Sequence, residues 1–453
     1  MTTINIKPVT RIESHGQLTL EYDKKGSPIE AYFSTPVLRG FEAFLRGTPI
    51  DRVPWLASRV CGVCPVPHSI NASQTLEKAI GLKIPKTAKN LRELLLLSQL
   101  VDSHTLSFVM LSLPDLVPTD KTSNIVDIKN DYPELFQNGM KLHTIGRKLT
   151  SEFGGRNVHP INVRVGGMNI NPLNTSDYKF KENVLEARKI IMELLVTCKE
   201  WVGSNTESVQ NIGSIDTHYM ALSNKGTTSF MDGSIKIVDS EGKEFANFDS
   251  DDYSTYLNET IKKYTYMKMP YLKDLGEEKG AIRVNCLARS NVNKKFGTPT
   301  ADKEMQELKS QWQYPFKQSL LSHWVRLIEM LYATERIEAL LADPISKKTE
   351  TAISGEIKDG QATCCLEAPR GTLLHNYIVK NNVIEKANLI VATQNNGLAM
   401  NKALSQAMHY GKSNNMSDDQ VIHFCEMIIR AYDPCISCAT HVVRGKLSKG
   451  EQK

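Results

Sequence analysis

The chain lacks several features that would assign it to a class at once. Its N-terminal residues, MTTINIKPVTRIE, contain neither an apolar core nor a cleavage site of the kind that directs export. Its longest apolar run, residues 94–117, contains two aspartates and a histidine, which favours a buried core helix over a membrane-spanning one. We therefore expect a cytoplasmic protein without a transmembrane segment.

Charge of one sign is also scarce. The 453 residues carry a formal net charge of +5, and Lys and Arg are interspersed with Asp and Glu. Nucleic acid is therefore not expected as a partner. The nine cysteines are an odd number in a long chain, which does not fit a disulfide framework. In a reducing compartment they are available for metal or redox chemistry.

Flexible linkers and internal repeats are absent, so we predict a single integrated domain over residues 1–453. Period-two alternation predicts a two-stranded ribbon, Gln17 to Tyr22 and Pro28 to Thr35, and a small β insertion at 227–248. Apolar residues at helical spacing predict helices within residues 50–58, 71–80, 87–113, 177–202, 302–342 and 383–410. The predicted fold class is mainly α (α+β), a large multihelical bundle with small peripheral β-ribbons.

Two C-x-x-C pairs, each followed by a histidine, are the strongest chemical signal. They lie in RVCGVCPVPH at 59–68 and DPCISCATH at 433–441, more than three hundred residues apart. Two such pairs provide the four thiolates of a site for a soft metal. A structural zinc is the simplest alternative, but its pairs are commonly about 15 to 20 residues apart. A separate redox role for each pair is a further alternative.

The residues around the cysteines resemble the large subunit of nickel-iron hydrogenases. The two stretches match that family's patterns R-x-C-G-x-C-x-x-x-H and D-P-C-x-x-C-x-x-H at every fixed position. Four more segments look like family motifs and follow in family order: PVTRIESHG at 8–16, LRGFE at 38–42, GGRNVHP at 154–160 and EAPRGTLLH at 367–375. The resemblance thus spans nearly the whole chain and implies a hydrogenase large-subunit fold.

The resemblance implies a nickel-iron centre. Cys61, Cys64, Cys435 and Cys438 would bind nickel, and Cys64 and Cys438 would also bridge to an iron that carries carbon monoxide and cyanide. Soft thiolates suit nickel, and bridging sulfur lets two metals share electron density. Heterolytic cleavage of dihydrogen needs an electrophile for the electron pair and a base for the proton.

The base that the family suggests is Cys435 or Arg370. A guanidinium is a poor base at its ordinary pKa, so we assign Arg370 a position over the open site and keep the base role as a bolder option. A simple ion pair with a carboxylate in the core is the alternative for Arg370. Asp433 matches an acidic residue that pairs with this arginine.

Two more residues have implied roles near the centre. Glu13 matches the carboxylate that accepts the proton from the terminal cysteine, with a surface glutamate as the alternative. His68 matches a residue that donates a hydrogen bond to a bridging sulfur, with a satisfied core histidine as the alternative. Glu42 and His441 match ligands of a family magnesium or iron site, completed by a backbone carbonyl around Thr393 to Asn396.

The chain departs from the family pattern at two places. Many members carry an acid just before the histidine that is here His104, where this chain has Ser103. Family precursors are also cut by a maturation protease after the histidine that matches His441, whereas Val442 to Lys453 follow here. We therefore treat 442–453 as a possible C-terminal maturation extension.

Electrons must leave through a partner, because the remaining cysteines show no ferredoxin spacing. The family supplies an iron-sulfur small subunit, which would hold all the iron-sulfur clusters. Segments 266–276 and 281–302 look like the cytoplasmic, multi-subunit group, and most like the methanogen hydrogenase that does not reduce the deazaflavin coenzyme F420. That subtype implies an electron-transfer subunit and heterodisulfide reductase as partners. A deazaflavin- or NAD-reducing hydrogenase is the first alternative, and a zinc-bound structural scaffold is a more distant one.

Overall fold

The computed structural model of the protein describes residues 2–118 and 124–440. Helices account for 52% of it and strands for 20%. The strands form sheets of two to five strands each. The predicted mainly α architecture with small sheets is therefore confirmed.

Helices and strands are interspersed along the chain rather than gathered into separate segments. The helices are α1 Phe41–Leu45, α2 Val53–Ala57, α3 Pro65–Ala79, α4 Lys86–Thr105, α5 Leu113–Leu116, α6 Ile125–Asp131, α7 Pro133–Gly154, α8 Phe180–Ser204, α9 Thr206–Asn211, α10 Tyr253–Tyr256, α11 Gly276–Lys279, α12 Cys286–Val292, α13 Pro299–Gln311, α14 Ser322–Ala342, α15 Ala392–Ser413, α16 Asp418–Tyr432 and α17 Ile436–Ala439. The strands are β1 Thr2–Ile6, β2 Gln17–Tyr22, β3 Pro28–Ser34, β4 Val163–Arg164, β5 Gly167–Met168, β6 His218–Asn224, β7 Thr227–Thr228, β8 Ser234–Val238, β9 Glu244–Phe248, β10 Leu257–Ile261, β11 Lys268–Leu272, β12 Ile282–Arg283, β13 Gly360–Ala368, β14 Gly371–Lys380 and β15 Val383–Ile390.

Helix α4 is the centre of the main core. Its leucines Leu91, Leu94, Leu95, Leu97 and Leu100 are buried, and the helix packs against α7 and α14. A π-helical segment, Leu106–Ser112, continues it into α5. Among the described residues, one helical stretch, Lys86–Leu116, is long and apolar enough to cross a membrane, and 83% of its most apolar window is buried inside the fold. That burial agrees with the predicted core helix.

Three sheets pack against the helices, and the strands of two of them form smaller clusters of their own. The antiparallel sheet β1–β2–β3 packs its third strand against α15, and the antiparallel sheet β13–β14–β15 packs its first two strands against α3. A five-stranded sheet has the order β12–β6–β8–β9, with β7 beside β6 and β12 parallel to β6. The predicted ribbon of β2 and β3 is confirmed, and the segment predicted as a β insertion supplies β7, β8 and β9.

Three predictions of local structure are wrong. The N-terminal ribbon has a third strand, β1, which pairs with β2. The helical pattern of 302–342 is two helices, because α13 ends at Gln311 and α14 begins at Ser322. The pattern of 383–410 begins with the strand β15, and its helix, α15, starts only at Ala392.

The fold brings the two ends of the chain together. Helix α15 contacts β3, α16 and α17, so the N-terminal sheet and the last helices share one support. The backbone of Glu13 forms a parallel bridge with that of Cys435. Residues more than four hundred positions apart in sequence thus lie side by side.

Candidate metal centre

The four cysteines of the two C-x-x-C pairs meet in the interior. Their sulfur atoms all lie within 4.8 Å of one another, and all four side chains are buried. The Sγ–Sγ distances are 3.1 Å from Cys61 to Cys435, 3.2 Å from Cys64 to Cys438 and 3.1 Å from Cys435 to Cys438. This spacing allows one soft metal ion to contact all four sulfurs.

The first pair is held by a tight loop that leads into a helix. A short 3-10 turn, Ser58–Val60, follows α2 and delivers the chain to Cys61. The backbone amides of Val63 and Cys64 then donate hydrogen bonds to Cys61 Sγ, at 3.2 and 3.1 Å. Cys64 caps α3, whose first residue is Pro65. Proline is favourable there because its missing N–H would have had no partner in the helix.

The second pair follows a sharp helix end. Helix α16 stops at Asp433, which adopts the left-handed conformation with φ of 53°. The turn directs the chain inward, and the amide of Cys435 donates a hydrogen bond of 2.9 Å to Thr393 Oγ1 on α15. Cys438 then lies on the short helix α17.

Arg39 connects the two loops, a contact that the sequence analysis missed. Its Nη1 donates to the carbonyl of Val60 at 2.7 Å and to that of Ser437 at 3.1 Å, and its Nη2 donates to that of Arg59 at 3.3 Å. Val60 precedes the first pair, and Ser437 lies within the second. One side chain therefore fixes the distance between the two cysteine loops. Its place in the LRGFE motif was the available signal.

Arg370 lies over the cysteines on a two-residue turn. Pro369 and Arg370 join β13 to β14, since Ala368 pairs directly with Gly371. Gly371 has φ of +123°, and an added Cβ would lie 1.8 Å from a backbone oxygen, so only glycine fits. The turn thus carries the guanidinium to a small cavity that Cys64, Cys435 and Cys438 also line.

The partners of Arg370 are Asp433 and Ser103. Nε donates to the Asp433 carbonyl at 2.8 Å, Nη2 to Asp433 Oδ1 at 3.1 Å, and Nη1 to Ser103 Oγ at 3.2 Å. Burial lowers the pKa of Arg370, but Asp433 and the cysteines outweigh it and raise that pKa well above its usual value. The guanidinium therefore stays charged. Ser103 contacts the guanidinium from the position at which many family members have an acid.

A buried ion-pair network supports the turn formed by Pro369 and Arg370. The sequence analysis did not identify this network. Arg289 contacts Glu329 at 2.5 Å and Glu367 at 2.8 Å, and it donates to the carbonyls of Ala368 and Pro369 at 3.1 and 3.0 Å. All three charged side chains are fully buried. The two residues before Arg370 are thus fixed by charge-assisted hydrogen bonds.

His68 contacts the sulfur of Cys438. Its Nε2 lies 3.4 Å from Cys438 Sγ, and its Nδ1 lies 3.2 Å from His375 Nε2. Burial lowers the pKa of His68 to about 4, so the ring is neutral at physiological pH. A neutral imidazole can donate through only one of its nitrogens.

Glu13 lies at the edge of the centre and binds the second cysteine loop. Its Oε2 accepts from the Ser437 amide at 2.9 Å, and its Oε1 accepts from the Ser437 hydroxyl. The side chain is half-buried. The carboxylate therefore lies between the loop that carries Cys435 and the outside of the protein.

The predicted magnesium or iron ligands lie only partly within the described residues. Glu42, in the first turn of α1, accepts from the Leu389 amide at 2.9 Å and pairs with Lys268 Nζ at 3.4 Å. His441 and the 442–453 extension lie outside the described residues. Residues 393–396 form the first turn of α15, where backbone carbonyls accept hydrogen bonds within the helix.

The cysteines differ in how readily they lose a proton. Burial opposes ionisation of Cys61, but hydrogen bonds from the neighbouring thiols and the charge of Arg370 hold its pKa well below the usual value. Burial raises the pKa of Cys435 well above its usual value, and hydrogen bonds with the neighbouring sulfurs raise it further. Metal binding to thiols releases protons, so the site couples metal loading to pH.

Comparison with known families identifies the class of protein. The family model described as nickel-dependent hydrogenase matches residues 39–132 and 204–441, and a model described as HoxL-like matches residues 3–36. The chain therefore belongs to the nickel-dependent hydrogenase family and is an oxidoreductase.

Individual relatives narrow the comparison. The chain is 36% identical to a subunit of the vhc F420-non-reducing hydrogenase of Methanococcus voltae, covering 98% of this chain and 96% of the relative. It is 34% identical to the corresponding subunit of the F420-non-reducing hydrogenase of Methanothermobacter thermautotrophicus, covering 99% and 96%. It is also 30% identical to the beta subunit of the NAD-reducing hydrogenase HoxS of Cupriavidus necator, covering 97% and 94%.

Solved structures confirm the predicted hydrogenase large-subunit fold. A chain of an NAD+-reducing [NiFe]-hydrogenase in the H2-reduced state matches with a TM-score of 0.91 and 30% identity, covering 97% of this chain and all of that one. The Ni-Fe-Se hydrogenase of D. vulgaris Hildenborough matches with a TM-score of 0.80 at 23% identity, which speaks for the fold alone.

Proposed function

We propose that the chain catalyses the reversible heterolytic cleavage of dihydrogen into protons and electrons at a nickel-iron centre. Cys61, Cys64, Cys435 and Cys438 would bind nickel, and Cys64 and Cys438 would also bind an iron that carries carbon monoxide and cyanide. The observation that carries the proposal is the meeting of these four sulfurs beside a cavity under Arg370.

The donor set fits a nickel-iron pair better than a structural zinc. A structural zinc is closed by its four ligands and needs no free space beside them. Here Ala368, Leu373, Val391 and Ala392 form an apolar wall of a cavity next to Cys64 and Cys438. Carbon monoxide, a small uncharged ligand on a second metal, would suit such a wall. The cavity thus lies beside three of the four sulfurs, those of Cys64, Cys435 and Cys438.

The residues around the sulfurs would have different roles in the cleavage of dihydrogen. When bound, the metals supply the electrophile that polarises dihydrogen and accepts its electron pair. Cys435 Sγ would take the proton, since it lines the cavity below Arg370 and its backbone lies beside that of Glu13. The ion pair with Asp433, at 3.1 Å, keeps Arg370 charged. Its guanidinium is therefore unsuited to accept a proton and would instead help to position dihydrogen in the cavity.

The proton would then leave through Glu13. The backbone bridge between Glu13 and Cys435 places the two residues side by side, and a half-buried carboxylate can both accept and release a proton. The Ser437 hydroxyl and amide hold both carboxylate oxygens. Rotation of the carboxylate between Ser437 and Cys435 would complete the transfer.

Electrons would leave on the side of Cys61, to an iron-sulfur small subunit that holds all the iron-sulfur clusters. Gly62 is exposed and Val63 is half-exposed, so the first cysteine loop is close to the surface. Next to it, Trp55 is 50% exposed, with Arg59 stacked over its ring at 4.5 Å. An aromatic residue beside an arginine is typical of binding hot spots. We call Trp55, Arg59, Gly62 and Val63 the Trp55 face.

The physiological route beyond the small subunit is proposed from the relatives. Their names as F420-non-reducing hydrogenase subunits support an electron acceptor other than F420, and we propose an electron-transfer subunit and heterodisulfide reductase as partners, in the cytoplasm. The NAD-reducing alternative draws its support from the structural match to an NAD+-reducing hydrogenase, with a TM-score of 0.91. Reduction of heterodisulfide, F420 or NAD+ by the purified complex under hydrogen would separate the three acceptors.

Maturation and the second metal site complete the proposal. We propose that residues 1–453 form one integrated domain, in which a protease removes 442–453 after nickel is inserted. Glu42 and His441 would bind magnesium or iron, a hard ion that suits a carboxylate. Lys268, 3.4 Å from Glu42, would neutralise the remaining acidic charge there. Mass spectrometry of the purified chain would show whether the cut occurs.

Infrared spectroscopy and elemental analysis of the purified complex test the main proposal. Stretching bands of carbon monoxide and cyanide are expected, together with nickel and a larger amount of iron, because the small subunit adds the iron of its clusters. Zinc without nickel, or the absence of such bands in protein that contains nickel and iron, would overturn it.

A further inference from the structure

A row of buried side chains runs away from the cysteine centre behind His68. His68 Nε2 lies 3.4 Å from Cys438 Sγ, His68 Nδ1 lies 3.2 Å from His375 Nε2, and His375 Nδ1 lies 2.7 Å from the Tyr377 hydroxyl. The exposed fraction of each of the three side chains is 1% or less. We propose that His375 and Tyr377 are positioning residues that make His68 donate a hydrogen bond to Cys438 Sγ and so tune the centre.

The direction of the row follows from counting protons. If the Tyr377 hydroxyl donates to His375 Nδ1, that nitrogen carries no proton, so the ring proton of His375 is on Nε2 and is donated to His68 Nδ1. His68 then carries its proton on Nε2 and donates to Cys438 Sγ. Every polar hydrogen in the row has an acceptor, and every donor is oriented toward the sulfur.

The opposite direction leaves two groups unsatisfied. His68 would donate to His375, and His375 would donate to the Tyr377 oxygen, so an imidazole lone pair would face the electron-rich sulfur of Cys438. The Tyr377 hydrogen would also need another acceptor, and within residues 2–118 and 124–440 its hydroxyl makes no hydrogen bond other than that to His375. A buried hydroxyl without an acceptor is unfavourable. Tyr377 therefore selects the direction.

The backbone makes this arrangement rigid. His375 and Tyr377 are two residues apart on β14, so both side chains project from the same face of the strand. β14 is the central strand of its sheet, and α3, which carries His68, packs against it. The ring centroids of His68 and His375 are 5.4 Å apart, and those of His375 and Tyr377 are 5.6 Å apart. None of the three rings can turn without disturbing the core.

The row has a measurable consequence, which rests on the proposed function. A hydrogen bond to a bridging thiolate withdraws electron density from the metals, and such bonds set the potentials of thiolate-bound centres. Loss of the bond leaves more density for back-donation from iron to carbon monoxide. The carbon monoxide stretching band should then move to lower wavenumber.

The test compares three variants with the unchanged form of the whole purified complex by infrared spectroscopy. Tyr377→Phe removes the terminal donor and should lower the carbon monoxide band. Site-specific 3-fluorotyrosine at position 377 keeps the shape but makes the hydroxyl a stronger donor, and it should raise the band. Tyr219→Phe is the matched control, because Tyr219 is also fully buried and its hydroxyl donates only to the Phe316 carbonyl, at 2.9 Å. Its band should not move.

The outcomes separate this inference from the proposed function. If the unchanged complex shows no carbon monoxide band, the proposed function fails. If the unchanged complex shows the band and it lies at the same wavenumber in Tyr377→Phe, the row does not tune the centre. Should Tyr377→Phe fail to assemble, the 3-fluorotyrosine form decides alone, and an unmoved band there would overturn the inference.

Discussion

The two cysteine loops hold the same pair of ligands in different surroundings. In the first loop, Gly62 is exposed, and two backbone amides donate to Cys61 Sγ. In the second loop, every residue from Asp433 to Thr440 is buried except Ser437, which is half-buried. The second loop contacts two charged side chains, those of Glu13 and Arg370. The first loop thus reaches the surface, whereas the second is enclosed and contacts an arginine and a glutamate.

This difference separates the two products of the proposed reaction. Electrons can cross short distances through protein toward a partner, so a loop close to the surface suits them. Protons need donors and acceptors close to one another, and beside the second loop Glu13 binds Ser437 and its backbone lies next to that of Cys435. Changes on the second loop should therefore impair chemistry, and changes near the first should impair assembly or electron transfer.

Replacing a ligand of the enclosed loop should have the largest effect. Cys435→Ser puts a hard oxygen donor where nickel needs sulfur, so hydrogen uptake should fall below detection while the fold persists. Hydrogen consumption with an artificial dye and circular dichroism would measure the two properties. Cys425→Ser is the control, because Cys425 is also fully buried but lies against Leu404. Unimpaired uptake in Cys435→Ser would contradict the assignment.

Removing the proton acceptor should slow the reaction without emptying the site. Glu13→Gln keeps acceptor and donor atoms for Ser437 but cannot carry a proton, and we expect hydrogen–deuterium exchange to slow by about 100-fold. Nickel content should be unchanged. Glu30→Gln, an exposed position on β3, should exchange at the original rate. Equal rates in Glu13→Gln and the original protein would remove Glu13 from the pathway.

Breaking the contacts between the two cysteine loops should lower the stability of the protein and its retention of metal. Arg39→Ala removes three charge-assisted hydrogen bonds to the two loops, and we expect a destabilisation of about 2 kcal/mol after water replaces part of them. Nickel should also be lost faster to a chelator. Arg336→Ala, which breaks a partly exposed pair with Glu93, should cost less than about 1 kcal/mol. If the two variants lose nickel at the same rate, Arg39 does not connect the loops.

The smallest effect is expected at the surface beside the first loop. Trp55→Ala should weaken binding of the small subunit roughly tenfold, which corresponds to about 1.4 kcal/mol. Dye-linked hydrogen uptake at saturating small subunit should be unchanged. Phe245→Ala, an aromatic residue that is 39% exposed on β9, is the control. Unchanged affinity in Trp55→Ala would exclude the Trp55 face from the interface.

The four-sulfur site was predictable from the sequence because each cysteine pair has the local C-x-x-C spacing of metal ligands. The two C-x-x-C pairs and their flanking residues led to a four-sulfur site, and the resemblance of the surrounding motifs led to the family. The contacts of Arg39 and the row from His68 to Tyr377 were not predictable in the same way. They depend on side chains from distant segments, and no local pattern indicates which distant carbonyl or ring a side chain reaches.

The missed strands have a physical explanation. β14 is buried along almost its whole length on both faces, so its residues show no period-two alternation. In β15, VIEKANLI, apolar residues recur at intervals that also fit a helix, and it runs almost directly into α15. Pairing with β14 outweighs that local pattern. The break between α13 and α14 contains Pro315, which cannot donate a backbone hydrogen bond within a helix.

The bridge between Glu13 and Cys435 also bears on how the protein is made. A ribosome completes the first cysteine pair early and the second only after more than three hundred further residues. Until then, a nascent chain offers just two of the four sulfurs to any metal. Incorporation of a metal that needs all four sulfurs must therefore await synthesis of the second pair, so the order of synthesis itself delays activation.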